Sequence, residues 1–358
     1  MSSEPKIYLS KDFDKWENFL QKEEAGNIFQ SPVILPAYVR ALKFNAYLLT
    51  AQLNQEIVGG SLIYKRFPPK LPIRLINELY TSYGPIVAEE IMDNVKIKVI
   101  QALLENAKKC ADTGTIKHTF FIRRDYIFNK EKDTRPSKMD SDMFVEVGYR
   151  AVPNGYGQTF VINLESNLQS IINNFEKRTR WSLNKAKKFN IKAQTENSQE
   201  GLKTFYKLYM NTAKRHNSII TPFNFLDELY RILAPKKMMD IYIAYFDNMP
   251  VSTTITLNYK NTAYYYMAAS LKKFHYTQAN TYLQFFIISK LKDKGIKRYD
   301  LLCAPQSCDI DNPQYGLYLF KRGFGGKSVP VFHYEQIYSK MLSAIECRLS
   351  HIYKKLFF

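Results

Sequence analysis

Cysteine and histidine are scarce in this sequence, and neither is spaced for a metal site or a disulfide framework. The 358 residues include four cysteines and five histidines. Cys303 and Cys308 form one C-x4-C pair without a second pair nearby, and no two histidines follow an H-x-x-x-H spacing. Zinc sites and disulfide scaffolds require denser ligand patterns. We therefore expect no metal, and free thiols suit a reducing compartment.

Long apolar segments are missing as well. No apolar run reaches the roughly 18 residues that span a bilayer. The opening stretch, MSSEPKIYLSKDFDKWENFL, has no apolar core of a secretory signal. No segment sustains apolar heptads over three repeats, so we expect no coiled-coil arm. Together these features predict a cytoplasmic protein.

Acidic residues are in deficit. The chain has 51 Lys and Arg against 33 Asp and Glu, a net charge of +18. Such an excess predicts a polyanionic partner or an anionic membrane surface, and it says nothing about the fold. A hydrophobic content of 46% indicates a globular protein, and the length suffices for two domains.

The sequence repeats one plan of elements. Residues 47–64 and 241–259 each predict two strands joined by a two-residue turn, Asn-Gln and Asp-Asn. An amphipathic helix follows each hairpin, at 94–114, where Asp93 or Asn94 can cap it, and at 281–295. Each helix then precedes a strand that ends in aspartate, Asp125 or Asp300. A duplicated α/β domain is the simplest interpretation.

A basic segment, EKRTRWSLNKAKKFNIK (176–192), continues from ESNLQSIINNF, and together they predict one long helix from about Ser166. Helical pitch places its six cations on one half of the helix, with Trp181 among them. The expected buried stripe is Leu168, Ile171, Ile172, Phe175, Leu183, Ala186 and Phe189. Two interpretations stay open: a solvated face whose tryptophan packs on the other domain, or a track for RNA phosphates where Trp181 stacks on a base.

Near the end, GLYLFKRGFGG (316–326) sets Lys321 and Arg322 beside three glycines. Glycine lets a backbone approach a ligand closely, and adjacent cations favour an anion. The stretch fits neither a Walker loop nor the acyl-CoA pattern Arg/Gln-x-x-Gly-x-Gly/Ala. A phosphate contact and a plain strand–turn with a solvated Lys–Arg pair both remain open.

Several stretches, taken in order, resemble the Fem family of non-ribosomal, aminoacyl-tRNA-dependent peptidyltransferases, which build peptidoglycan side chains and interpeptide bridges. They are NIFQSP (27–32), YTSYGPIV (80–87), FFIRRD (120–125), QTFVINLESN (158–167), KRTRWSLNKAKKFNIK (177–192), YKLYMNTAKRHN (206–217), KGIKRYD (294–300) and GLYLFKRGFGG (316–326). The resemblance covers nearly the whole chain. The chain departs from the family at Tyr83, where an arginine is frequent, and at Leu301-Leu302-Cys303, where a glycine soon follows Tyr-Asp.

The resemblance implies an α/β (α+β) chain of two tandem GNAT-like domains. The first spans 1–150, with the tail 335–358 returning to it, and the second spans 151–334. The implied reaction moves an amino acid, glycine before alanine or serine, from aminoacyl-tRNA to the side-chain amine of the third stem-peptide residue. The acceptor is UDP-MurNAc-pentapeptide or lipid II, and the product forms an interpeptide bridge. No cofactor is expected beside the aminoacyl-tRNA donor.

Residue roles follow from the same resemblance and from chemistry. Lys321 is expected to face the oxyanion of the transition state. Arg215 and Arg40 are expected to contact the diphosphate of the precursor. Asp125 and Asp300 are candidate general bases, although the substrate's own groups could accept the proton. Candidates for the acceptor groove are Tyr83 and Tyr265. Candidate tRNA-binding residues are Arg178, Arg180, Trp181, Lys185, Lys188 and Arg322.

Two alternative functions remain open, and so does the role of the C-terminal tail. The chain could be an acyl-CoA-dependent N-acyltransferase of the GNAT fold, or a non-catalytic RNA-binding protein. The tail HIYKKLFF (351–358) either docks on the first domain or contacts anionic headgroups at the inner face of the membrane.

Overall fold

The computed structural model describes residues 4–67, 76–127, 138–152, 156–305 and 314–357, with the backbone alone at 138–141, 156 and 350–357. The strands are β1 (Lys6–Ser10), β2 (Asn45–Leu53), β3 (Glu56–Arg66), β4 (Asn77–Ser82), β5 (Ile86–Val87), β6 (Thr115–Arg123), β7 (Arg150–Ala151), β8 (Tyr156–Asn163), β9 (Lys192–Thr195), β10 (Met239–Phe246), β11 (Met249–Tyr259), β12 (Thr262–Ser270), β13 (Arg298–Pro305) and β14 (Lys327–Ile337). The α-helices are α1 (Phe13–Lys22), α2 (Asp93–Asn106), α3 (Lys138–Val145), α4 (Leu168–Asn173), α5 (Lys177–Lys188), α6 (Gln199–Arg215), α7 (Phe223–Leu233), α8 (Ala279–Asp293), α9 (Tyr315–Arg322) and α10 (Lys340–Phe357).

Contacts within the chain divide it into two units. The first consists of Met1–Gly157 and Val329–Phe358, and the second of Gln158–Ser328. The boundaries expected from the sequence, after residues 150 and 334, therefore fall a few residues from those of the structure. Each boundary of the structure falls within a strand, the first within β8 and the second within β14.

The sheet of the first unit has the order β1-β2-β3-β4-β6-β14. Neighbours are antiparallel except β4 and β6, which are parallel. The short strands β5 and β7 pair with β3 and β14. Helix α2 buries Val99, Ile100 and Leu103 in the core of this unit.

The sheet of the second unit follows the same plan, with the order β9-β10-β11-β12-β13-β8. The four strands β9 to β12 pair antiparallel with one another, whereas β12 and β13 pair parallel. Helix α8 takes the place of α2 and buries Leu283, Ile287 and Leu291. In each unit the last strand comes from a distant part of the chain. The predicted duplication is confirmed.

The two predicted hairpins form because their turn residues accept positive φ. Asn54 and Gln55 have φ of 50° and 69°, and Asp247 and Asn248 have 49° and 60°. Two-residue turns with positive φ at both positions match the twist of antiparallel strands, and Asn and Asp tolerate this conformation. These two turns thereby fix the register of β2 with β3 and of β10 with β11.

The predicted long helix from Ser166 is wrong, because the chain breaks between α4 and α5. The helix α4 ends at Asn173, and α5 begins at Lys177. The Glu176 backbone N–H donates to the Gly323 carbonyl oxygen at 2.9 Å instead of continuing a helix. Of the expected buried stripe, Ile171, Phe175, Leu183 and Ala186 are buried, while Leu168, Ile172 and Phe189 are partly buried against the same core.

Within the described part of the chain, no helix is long and apolar enough to cross a membrane.

Candidate functional site

The parallel strands β12 and β13 separate part of the way along their length. Their pairing runs from Thr262 and Arg298 to Tyr264 and Asp300. Beyond that point Tyr265 follows on β12, while β13 continues to Pro305. In open α/β sheets, ligands bind at the carboxyl ends of parallel strands, where the strands part. This opening in the second unit is the candidate site.

Lys321 of α9 reaches into this opening. Its side chain is only 5% exposed. The Nζ atom donates to the carbonyl oxygens of Cys303, at 2.8 Å, and Leu302, at 3.3 Å, and lies 5.6 Å from the centre of the Tyr265 ring. Burial lowers the pKa of Lys321 from 10.5 to about 8. This pKa still lies above neutral pH, so the site holds a poorly solvated cation.

Asp300 lies at the last paired position of β13, two residues before the first of these carbonyls. Its side chain has no exposed surface. Its Oδ1 accepts hydrogen bonds from the Thr159 hydroxyl at 2.5 Å and from the Leu302 backbone N–H at 2.8 Å. A general base needs a path to the substrate amine, and this buried carboxylate does not offer one. The structure thus gives no support to Asp300 as the predicted base.

Leu302 has a left-handed backbone, with φ of 56°. This conformation costs a residue with a side chain about 1–2 kcal/mol. Successive carbonyls of an extended strand point to opposite sides, whereas those of Leu302 and Cys303 both meet Lys321. The irregular backbone at Leu302 accounts for that convergence. Sequence reasoning missed this feature, because a leucine gives no signal of positive φ.

Asp125, the other candidate base, is occupied by its neighbour Arg123. The Arg123 Nε donates to Asp125 Oδ1 at 2.9 Å, and its Nη2 bonds to the other carboxylate oxygen. The same guanidinium lies 4.8 Å from the centre of the Tyr126 ring. The Arg-x-Asp stretch after β6 is therefore an ion pair across a tight turn. Because Arg123 occupies both oxygens of this carboxylate, the geometry also argues against catalysis by Asp125.

The glycines after Lys321 pack closely against other parts of the chain. A Cβ on Gly325, whose φ is 69°, would lie 2.1 Å from the Asn174 carbonyl oxygen, and a Cβ on Gly323 would lie 2.3 Å from Thr179 Oγ1. These positions exclude side chains because the segment packs on the junction between α4 and α5. Residues 315–322 form the helix α9, which contradicts the strand–turn interpretation, and the glycines serve packing.

Two predicted tRNA-binding arginines bind the same junction. The Nε of Arg322 donates to Glu176 Oε1 at 2.6 Å. This bond and its charge raise the pKa of Arg322 above its ordinary value. Arg180 donates to the Asn173 carbonyl oxygen at 2.9 Å and to that of Phe175. Both guanidiniums hold α4, α5 and α9 together, so the structure assigns them a packing role.

The other predicted RNA-binding side chains, Arg178, Trp181, Lys185 and Lys188, share one edge of α5 with Lys177. We call these five residues the cationic edge. With Lys177 at zero, these residues lie between about 0° and 100° around the helix. Trp181 is 58% exposed, and Lys185 Nζ lies 5.0 Å from the centre of its ring. An exposed aromatic ring among cations is suited to unpaired bases and phosphates.

The Thr-x-x-Arg stretch of α6 binds the end of β12. Thr212 Oγ1 and Arg215 Nη1 both donate to the Ser270 carbonyl oxygen, at 3.0 and 2.9 Å. His216 and His275 lie beside Arg215, and burial, followed by the nearby cations, lowers the pKa of His275. Among the described residues, no carboxylate pairs with Arg215, so its outer face remains suited to an anion.

NIFQSP closes the corresponding strand ends in the first unit. The Asn27 and Gln30 side-chain amides donate to the Tyr83 and Ser82 carbonyl oxygens, at 2.9 and 2.7 Å. Tyr83 is 2% exposed, and its ring stacks on Phe29 at a centroid distance of 5.0 Å. A buried, stacked ring cannot line an open groove. The structure therefore gives no support to the placement of Tyr83 in the acceptor pocket.

Of the remaining candidates, Arg40 is exposed on a five-residue π-helix, Ala37–Ala41. Tyr265 is partly buried at the candidate site, and burial raises its pKa. Cys308 and the side chains of 351–358 lie outside the described residues. Within the described ranges, no three His, Cys, Asp or Glu side chains gather as a metal site would require.

Known proteins share this architecture. The family model Acetyltransferase (GNAT) domain matches residues 173–315. The Lipid II:glycine glycyltransferase of Staphylococcus epidermidis is 22% identical, over 76% of this chain and 78% of that protein. The crystal structure of FemX aligns with a TM-score of 0.70 at 16% identity, over 95% of this chain and 99% of that chain. A tandem GNAT protein from the clavulanic acid biosynthesis pathway gives 0.58 at 9% identity, over 93% and 98%.

These similarities confirm three predictions. The chain has an α/β fold of tandem GNAT-like domains. Its resemblance to the Fem family holds in sequence and in fold. The protein is a transferase.

We expect Gly325→Ala to destabilise the protein more than Gly295→Ala. Both positions have positive φ, 69° and 73°, so each alanine pays the left-handed penalty of about 1–2 kcal/mol. Nothing lies within 4 Å of a Cβ at Gly295, whereas one at Gly325 meets the Asn174 carbonyl. Overpacking should add about 1–3 kcal/mol at Gly325. Equal losses in the free energy of unfolding, measured by urea denaturation, would contradict the packing role.

Proposed function

We propose that this protein transfers glycine from aminoacyl-tRNA to the side-chain amine of the third stem-peptide residue of lipid II. The relative from Staphylococcus epidermidis is a lipid II:glycine glycyltransferase, which favours this donor amino acid and this acceptor. The observation that carries the proposal is the buried ammonium of Lys321 where β12 and β13 part. Such a cation can stabilise the negative charge that develops during acyl transfer.

The reaction needs no covalent enzyme intermediate, because an aminoacyl ester is already activated. The neutral amine attacks the ester carbonyl carbon, the new C–N bond forms, and the carbonyl oxygen becomes an oxyanion. The C–O bond to the tRNA ribose then breaks. The proton lost by the amine goes to the leaving ribose oxygen, which restores the hydroxyl. Lys321 supports the oxyanion stage, and neither Asp125 nor Asp300 is needed as a base.

The two substrates would meet different cations. Arg215 offers its outer face beside His216 and His275, a suitable environment for the diphosphate of the acceptor. The cationic edge of α5 would contact the tRNA, with Trp181 against an unpaired base of the acceptor end. Tyr265, beside Lys321, would border the reacting groups.

The decisive experiment incubates the purified protein with lipid II and tRNA charged with labelled glycine, alanine or serine, and weighs the lipid II products. We expect a glycine-dependent mass increase that disappears when the tRNA is treated with RNase beforehand. A parallel reaction supplies acetyl-CoA in place of tRNA, since GNAT folds commonly use that donor. Acetylated lipid II without glycyl transfer would replace our proposal with an acyl-CoA-dependent activity.

Replacing Lys321 with Met should separate activity from stability. We expect turnover to fall about a hundredfold, the loss typical of one oxyanion contact. Burial disfavours the charged form of Lys321, but Met also leaves the Leu302 and Cys303 carbonyls without this donor. The two effects oppose each other, so the Tm should change little. The exposed Lys214→Met is the matched control and should change neither quantity. Wild-type turnover in a folded Lys321→Met protein would contradict the assignment.

Binding of tRNA should depend on the cationic edge in a salt-dependent manner. For Arg178→Gln, the slope of log Kd against log salt should decrease by about 0.7–0.9, as expected for one lost phosphate contact. Trp181→Ala should weaken binding with little change in slope, because stacking releases few ions. Lys187→Gln, an exposed cation on another side of α5, is the control. Fluorescence polarisation over a salt series measures all three. Identical slopes for Arg178→Gln and Lys187→Gln would rule out this edge.

A further inference from the structure

A chain of buried contacts connects two strands of the second unit, β8 and β13, to Lys321. Thr159 lies on β8, which neighbours β13, and neither its side chain nor that of Asp300 is exposed. The Thr159 hydroxyl donates to Asp300 Oδ1, and the same oxygen accepts the Leu302 backbone N–H. The carbonyl of Leu302, with that of Cys303, then accepts from the Lys321 ammonium. The Asp300 carboxylate and the Lys321 ammonium thus bind the same short segment, 302–303. The carboxylate accepts from its backbone N–H, and the ammonium donates to its carbonyls.

We propose that Asp300, held by Thr159, is a positioning residue that fixes the strand end whose two carbonyls hold the Lys321 ammonium. The proposal rests on the proposed function for the consequence in catalysis, but its structural part stands alone. The left-handed backbone at Leu302 is unfavourable for a leucine. The hydrogen bond from its N–H to a charged oxygen offsets that cost, because bonds to ionised acceptors are the stronger ones.

The charge of Asp300 also acts on Lys321 directly. Burial lowers the pKa of the lysine, while the Cys303 side chain and then the negative charge of Asp300 oppose that decrease. The Tyr265 phenol faces the ammonium from β12. Because a negative charge favours the protonated lysine, removal of the Asp300 charge should lower the pKa of Lys321 further.

The principal variant is Asp300→Asn, which keeps an oxygen acceptor for Leu302 and removes the charge. Acetic anhydride modifies only neutral amines, so its rate of reaction with Lys321 from pH 6 to 10, followed by mass spectrometry, reports the pKa of that lysine. We expect the midpoint to decrease by about one pH unit, the smaller end of the range for a nearby charge. This readout requires no transferase activity.

The kinetic test uses the same variants. The kcat of Asp300→Asn should fall at least tenfold while the KM of both substrates stays near that of wild type, because the positioned group acts on the transition state. Thr159→Val should give a smaller decrease in kcat, and Thr159→Ser, which retains the hydroxyl, should restore it.

Asp240→Asn is the matched control. Asp240 is 1% exposed and accepts from Asn197 and Asn258, each at 2.7 Å, and pairs with Lys294. Its replacement should reduce stability without moving the Lys321 midpoint. An unchanged midpoint in Asp300→Asn, or an equal shift in Asp240→Asn, would overturn the proposal. A shifted midpoint in a protein that transfers no glycine would support the positioning role and reject the proposed function.

Discussion

The position of the Lys321 ammonium depends on an interruption in the pairing of the strands β12 and β13. Parallel strands normally satisfy each other's carbonyls, and the pairing of β12 with β13 stops at Tyr264 and Asp300. Past that point the carbonyls of Leu302 and Cys303 accept from Nζ instead. The ammonium is therefore a structural donor and an electrostatic element at once. Its low pKa is the physical cost of that arrangement, and such costs are common at functional sites.

The glycine-rich segment secures the helix that carries Lys321. Gly323 and Gly325 bring α9 against the junction of α4 and α5, where any side chain would collide with Asn174 or Thr179. The ion pair of Arg322 and Glu176 completes the joint. The two adjacent cations thus have opposite tasks, one facing the site and one fastening the helix. The same joint orients α5, so its cationic edge keeps a fixed direction relative to Lys321 within the second unit.

Local patterns revealed much of the fold, and tertiary packing decided the rest. The hairpin turns at Asn54 and Asp247 have a local cause, so the sequence predicted them correctly. The break between α4 and α5 has a remote cause, the docking of Gly323, and the apolar period continues across it. Lys321 was found through its motif. Thr159 and Leu302 were missed, because a buried threonine in a strand and a leucine with positive φ give no local signal.

The duplication explains why one unit carries the candidate site. Both sheets contain a parallel pair, β4 with β6 and β12 with β13, and both pairs end at comparable places. In the first unit, Asn27 and Gln30 bind the backbone there, and the rings of Phe29 and Tyr83 fill the space. In the second unit, the corresponding position holds Lys321 beside Tyr265. Stacked rings fill the first opening, whereas the second opening holds a desolvated charge. Duplication therefore gives two strand ends of different chemistry, one filled by packed rings and the other by a buried cation.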